Sequence, residues 1–283
     1  VDKAYTEMMR KEDSPIKAVD SHYILVNYEE TWDVLQYNVY STQYDRLTGT
    51  ILSIFDAVDG ESKFAAIFST RVGRSNLLQN LLENYVYFSY NNNNPQKSDK
   101  TIHDFMAFMD KPNASNIIIN HLSVLAQAAP KIVVDALKAE MKKTNGIIMS
   151  LFNHPQQSDS RYMNILFALD KLTFYSESAV PACRILFRLY QTDQNKFRDS
   201  NSPYSSLLNA LCFINTYFPF PIKRKVELLL NFLKKDSYNG GKLIVGILNK
   251  DEISISSPYG RIGQYHETSL SYEEYYHAAE QIV

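Results

Sequence analysis

Val226, Leu229, Leu230 and Leu233 recur at the i, i+3, i+4, i+7 spacing that lines one face of an α-helix. Leu77, Leu78, Leu81, Leu82 and Tyr85 make a wider stripe of the same period. Ile165, Leu166, Leu169 and Leu172 repeat it, as do Ile185, Leu186 and Leu189. With the stops between them, these stripes predict helices over 3–11, 28–38, 42–57, 62–69, 74–89, 102–109, 115–129, 131–142, 146–152, 160–174, 179–192, 205–215, 222–235, 240–249 and 272–282.

The punctuation agrees with that reading. Asn27 precedes Glu29 and Glu30, an N-cap followed by acids at the positive end of the helix dipole. Ser41 caps the next helix. Pro130 follows Ala128 and Ala129, ending one helix and opening another at its first position. Asn145 and Gly146 read as a stop, Ser178 with Pro181 as a start, and Ser271 with Glu274 as a capping box. Ala18–Val26 is the best strand candidate, and Ile253–Ser256 is a second that is a candidate to pair with it.

Consecutive amphipathic helices joined by short loops favour antiparallel hairpins, and stacked hairpins make a solenoid. No exact repeat period is present. The expected fold is therefore mainly all-α, an irregular HEAT/TPR-like α-solenoid of helical hairpins with one small two-stranded β element. The polar, low-complexity run Tyr90–Lys100 (YNNNNPQKSDK) reads as a loop and a soft boundary. It divides an N-terminal helical unit with a short extended entry, 1–90, from a hairpin stack, 101–283.

Composition narrows this further. The 283 residues are 45% hydrophobic, enough for a substantial core and too many for disorder. Only 9 glycines and 10 prolines occur, too little turn punctuation for an all-β fold. The formal net charge of -2 sets up no global basic field, so nucleic acid is not expected as a partner. Cys183 and Cys212 both lie in apolar runs and read as reduced core thiols. No stretch approaches the roughly 20 apolar residues of a membrane span, and no signal leader opens the chain. A cytoplasmic location is expected, with no membrane contact. The first residue, Val1, leads to the expectation that sequence continues upstream.

Motifs for chemistry fail on spacing or context. Gly240-Gly241-Lys242 lacks the first glycine of a P-loop and the hydroxyl after its lysine, so it reads as a helix start. Glu274-x-x-His277 is one half of a di-iron bundle motif without its second copy. His266-Glu267 has no second histidine at zincin spacing. Gly260-Arg261-Ile262-Gly263 matches the G-x-x-G clamp but follows Pro258 and an extended run, outside a KH setting. Among His22, His103, His121, His154, His266 and His277 no local metal spacing occurs, and His121 reads as a core histidine. No G-x-S-x-G elbow is present. No catalytic residue, cofactor or metal is assigned.

The candidate partner-binding residues are of two kinds. Lys223, Arg224 and Lys225 open an amphipathic helix and read as a solvated basic face able to meet acidic partner residues, although they oppose the dipole there. Tyrosine has an apolar body and a polar tip and is enriched at interfaces. Among 20 tyrosines, Tyr85, Tyr87 and Tyr90, with Phe88, form a candidate aromatic edge, with core packing as the alternative use.

Several segments taken in order resemble the helical region downstream of the NTPase in bacterial antiphage proteins of the STAND class. IKAVDSHYILVNYEETWDVL is similar to that family's extended entry and Trp-containing helix, and NHLSVLAQAAPKIVVDAL to its helix break at Ala-Ala-Pro. YMNILFALDKLTFYSESAVPACRILFRLYQTD resembles its paired-helix signature, NSPYSSLLNALCFINTYFPFP the segment that follows, GGKLIVGILNK the next helix, and LSYEEYYHAAEQIV the tail. Asp170 stands where the family often has glutamate, and SYNNNNPQ replaces a featureless linker. These motifs are structural and carry no catalytic residue.

The resemblance implies a STAND NTPase and an effector module upstream. It also implies a helical segment that senses a phage protein or relays its binding to those modules, with oligomerisation of the whole protein. The alternative is a stand-alone α-helical scaffold or adaptor. An enzyme with a site assembled only in space is a third possibility. The first reading expects a protein partner and the upstream domains of the same chain.

Overall fold

In the computed structural model the described residues are 16–19, 22–25, 41–59, 95–144, 146–153, 160–193, 201–215, 217–249 and 271–282, together with Glu7, Lys11 and Leu82. They are mainly helical. Two short strands, β1 (Ile16–Val19) and β2 (His22–Leu25), pair antiparallel with Ile16 opposite Leu25 and Val19 opposite His22. The single strand expected over 18–26 is thus a hairpin. Asp20 and Ser21, poor strand formers, divide the β-branched and aromatic run into two. Its expected partner, Ile253–Ser256, lies outside the described residues, as do the predicted helices at 28–38 and 62–69.

Eleven α-helices follow among the described residues: α1 (Ser41–Asp59), α2 (Pro95–Met106), α3 (Pro112–Ala128), α4 (Pro130–Glu140), α5 (Ile147–Asn153), α6 (Ser160–Leu172), α7 (Ala179–Thr192), α8 (Pro203–Leu211), α9 (Ile222–Lys235), α10 (Ser237–Leu248) and α11 (Tyr272–Ile282). A short 3-10 helix, Ala107–Asp110, joins α2 to α3. Local chemistry sets the ends. Pro112, Pro130 and Pro203 occupy first positions, where the missing N–H costs nothing and the fixed φ suits the helix. Ser202 Oγ accepts from the Ser205 amide at 3.1 Å, and Asp236 Oδ1 from that of Asn239 at 3.0 Å. Before α11 the capping box closes both ways. The Glu274 amide donates to Ser271 Oγ at 3.2 Å, and the Ser271 amide donates to Glu274 Oε2 at 3.0 Å.

The two largest boundary differences from expectation are the start of α2 and the end of α8. The run Tyr90–Lys100 is not loop throughout, because α2 begins at Pro95. Its polar residues open an amphipathic helix whose apolar positions, Ile102, Phe105 and Met106, come later and are buried. α8 stops at Leu211, short of the expected 215, because Cys212 leaves helical geometry at φ -51 and ψ 135.

The helices alternate between two layers. In one, α1 packs on α3, α3 on α6, α6 on α8 and α8 on α10. In the other, α2 packs on α4, α4 on α7 and α9 on α11. Phe187 of α7 stacks on Phe232 of α9 at 4.2 Å, and Gln191 Nε2 donates to Asp236 Oδ2 at 2.8 Å, linking α7 to α9. Consecutive helices bridge the layers, as α7 with α8 and α9 with α10. Two of these neighbouring pairs, α3 with α6 and α7 with α9, run parallel. Arg161 donates to Asn116 at 2.7 Å and Asn164 to Asn120 at 3.0 Å, so residue numbers ascend together along α6 and α3. The α7–α9 contacts ascend in the same way.

One contiguous hydrophobic core runs through the stack, from Tyr44 in α1 to Ile282 in α11. Phe55 of α1 sits 5.5 Å from Phe105 and 5.4 Å from Phe108, tying α1 to the helices after residue 95. Burying each such ring contributes on the order of 1.5–3 kcal/mol. Tyr162 packs 4.3 Å from Phe152 and donates its hydroxyl to Asp193 Oδ2 at 2.8 Å, fixing the C-terminal end of α7 against α6. No helix among the described residues is long and apolar enough to cross a membrane.

Candidate functional site

Lys225 lies in the first turn of α9, on the same helical face as Leu229 and Phe232, and that placement draws it inward. It is 2% exposed. Its ammonium donates to the carbonyl of Cys212 at 2.8 Å and to that of Asn215 at 2.5 Å, with the Phe218 ring centroid 5.6 Å away. These carbonyls belong to the turn that ends α8, so the cation sits where the last helix carbonyls lack partners and the helix dipole is negative. Asn215 holds the same turn, donating to Asn209 O at 2.7 Å and accepting from the Tyr217 amide at 2.9 Å.

The expected basic face at 223–225 therefore needs correction. Lys223 and Arg224 are exposed, and Arg224 pairs with Glu227 at 2.6 Å. Lys225 points the other way and is an internal cap of α8, unable to meet a partner. The signal was in the sequence: Lys225 precedes Leu229 by four residues and Phe232 by seven, which continues the apolar stripe. Tyr85, Tyr87 and Tyr90 lie outside the described residues.

Around Lys225 the core holds other polar groups from three helices. Burial pushes the Lys225 amine down to about 8. Cys183 of α7 is fully buried, and burial pushes its thiol up to about 12, with Lys225 opposing the shift and Asp170 adding to it. Asp170 of α6 is pushed up to about 6 by burial, opposed by a hydrogen bond with Ser206 of α8. A thiol held that high stays protonated near neutral pH and is a poor nucleophile. Both cysteines are buried and free of disulfide.

The remaining candidates resolve into packing. Gly240 is buried against α9, where an added Cβ would meet the Leu233 Cα at 2.5 Å; the Gly-Gly-Lys run is the close approach of two helices. Lys242 lies 4.5 Å over the ring of Tyr238. His121 is buried in α3, and burial pushes its imidazolium down to about 4, so it is neutral near pH 7. Glu274 is the capping partner of Ser271, and His277 meets Gln281 on an exposed face. Among the described residues no group of three His, Cys, Asp or Glu side chains could hold a metal ion. Compared with known proteins, the chain matches no family model, no curated protein and no solved structure.

The Lys225 cap gives a pH-dependent expectation. Lys225→Met leaves two buried carbonyls without a donor and is expected to destabilise the fold by about 1–3 kcal/mol near pH 7. The wild-type amine has a folded pKa near 8, below its ordinary 10.5. The penalty for burying the ammonium is therefore present below about pH 8 and disappears as pH rises through 10.5. The gap between wild type and Lys225→Met should widen by up to about 3 kcal/mol between those limits. Urea denaturation of both proteins near pH 7 and near pH 10 measures it, and a constant gap contradicts the assignment.

Proposed function

We propose that this chain is a target-sensing and regulatory α-solenoid segment of a larger bacterial antiphage protein of the STAND class, working in the cytoplasm and relaying partner binding to an upstream NTPase and effector. The observation that carries this reading is the packing of the helices in two layers, with α3 and α6 parallel in one and α7 and α9 parallel in the other. That is the packing of stacked hairpins, and it supports an irregular HEAT/TPR-like solenoid whose outer helix faces offer an extended surface to a protein. The order of the family-like segments supports the antiphage assignment. The polar residues of the interior are used to cap helices and bridge layers, which agrees with a part that binds and relays.

The relay works by differential affinity. A partner shifts the protein to an active, oligomerising state only if it binds that state more tightly than the resting one. Co-expression of this region with candidate phage proteins, followed by affinity capture, tests the sensing reading. A phage protein that activates the full-length system should be captured with it. Failure to capture any activating phage protein would sink it. The adaptor reading rests on the same surface with no NTPase in the polypeptide. The intact reading frame separates the two, since an upstream P-loop belongs only to the first.

A further inference from the structure

Three helices of one layer, α4, α7 and α9, turn their outer faces to solvent side by side. α4 packs on α7, and the register of α7 on α9 is set by two contacts. Phe187 stacks on Phe232, and Gln191 meets Asp236, 45 residues on. This offset brings Arg188 level with Lys234 and Lys235, while Lys138 and Lys142 lie on α4 and the turn after it. These five and Arg184 are exposed, and none forms an ion pair among the described residues.

Acids are nearly absent from this end of the face. The exposed acids on α4 and α9 are Asp135, paired with Lys131, and Glu227, paired with Arg224, both towards the N-terminal halves. Glu140 is buried and ion-paired to Lys143. Asp236 is occupied by Gln191 and Asn239, which hold its carboxyl down at about 2. α7 carries no acid at all. Cations near helix C-termini favour the dipole, which accounts for Lys138, Lys234 and Lys235 but not for Arg184 and Arg188. Leu230 of α9, four residues before Lys234, is 40% exposed. Arginine is among the residues enriched at the hot spots of protein interfaces.

We propose that this outer face of α4, α7 and α9 docks an acidic protein segment; the proposal rests on the reading of the chain as a partner-binding stack. The charge complementarity calls for carboxylates, spaced across helices that lie roughly 10 Å apart. Leu230 adds apolar contact that a nucleic-acid backbone would not use. The formal net charge of -2 gives no long-range attraction for a polyanion of high charge density, so the patch acts at contact distance.

The test is fluorescence anisotropy of the whole chain with a labelled oligoglutamate peptide and, separately, a labelled single-stranded DNA of matched charge. Oligoglutamate should bind wild type in a salt-sensitive way. Arg184→Glu with Arg188→Glu, and Lys234→Glu with Lys235→Glu, should each weaken it about tenfold or more, while Lys100→Glu on α2 leaves it unchanged. The thermal midpoints of these exposed-site variants should stay at the wild-type value; should a double reversal fail to fold, Arg184→Gln with Arg188→Gln takes its place. Absent oligoglutamate binding, undiminished binding by the variants, or tighter binding of the DNA would each overturn the proposal. Charge variants that still capture an activating phage protein at full strength would remove this face and leave the sensing reading intact. Oligoglutamate binding through this face without capture of any phage protein would do the reverse.

Discussion

Replacing Phe187 by alanine is expected to destabilise the protein by about 3–5 kcal/mol, the cost of deleting a fully buried ring whose site cannot collapse. Phe187 is 1% exposed, and its ring lies 4.2 Å from that of Phe232 with an interplanar angle of 4°. That stack and the Gln191–Asp236 hydrogen bond are what join α7 to α9, so the loss falls on the continuity of one layer. A double-mutant cycle with Phe232→Ala should return a coupling of about 0.5–1.5 kcal/mol by chemical denaturation. A Phe187→Ala loss below about 1 kcal/mol would mean that the two helices are not packed face to face.

Gly240→Ala is the second large effect. In an ordinary helix the change from glycine to alanine stabilises by about 1 kcal/mol. Here the new Cβ would lie 2.5 Å from the Leu233 Cα, 2.6 Å from its amide nitrogen and 2.9 Å from the Phe232 carbonyl carbon. Those are backbone atoms of α9 and cannot rotate away, so α10 must shift bodily. The expected loss is about 3 kcal/mol or more, at the upper end of the range for overpacking. Gly241→Ala is the internal control. Its Cβ would meet only the Leu233 Cδ1, at an ordinary 3.9 Å, so the helix-propensity gain of up to about 1 kcal/mol should appear. Thermal denaturation of the two variants should move in opposite directions, and a stabilised Gly240→Ala would refute the close approach.

These sites show what one sequence reveals and what it hides. The ends of α9 and α11 are written in the chain, in the spacing of Val226, Leu229 and Leu233 and in the Ser271–Glu274 box, and both helices begin and end where expected. α2 was hidden because its first turns, beginning at Pro95, are as polar as a loop, and only the later Ile102 and Phe105 reveal the buried side. The strand hairpin was compressed into one strand because a short apolar run does not say where it reverses. Lys225 was misplaced by reading three consecutive cations as one surface, although successive helical residues point about 100° apart and only two of the three can share a solvent face. The parallel pairing of α3 with α6 was not legible, because it rests on contacts such as Asn116 with Arg161, and no periodic signal links residues so far apart in the chain.

Hydrogen–deuterium exchange of the full-length protein, with and without the phage protein that activates it, tests the central claim most directly. A sensing stack predicts slowed exchange in helices of the 95–282 region on binding, strongest in α7 and α9, with a further change in the upstream modules only when the partner is present. Slowed exchange confined to regions outside this chain, with the helices from α2 to α11 unaltered, would contradict it.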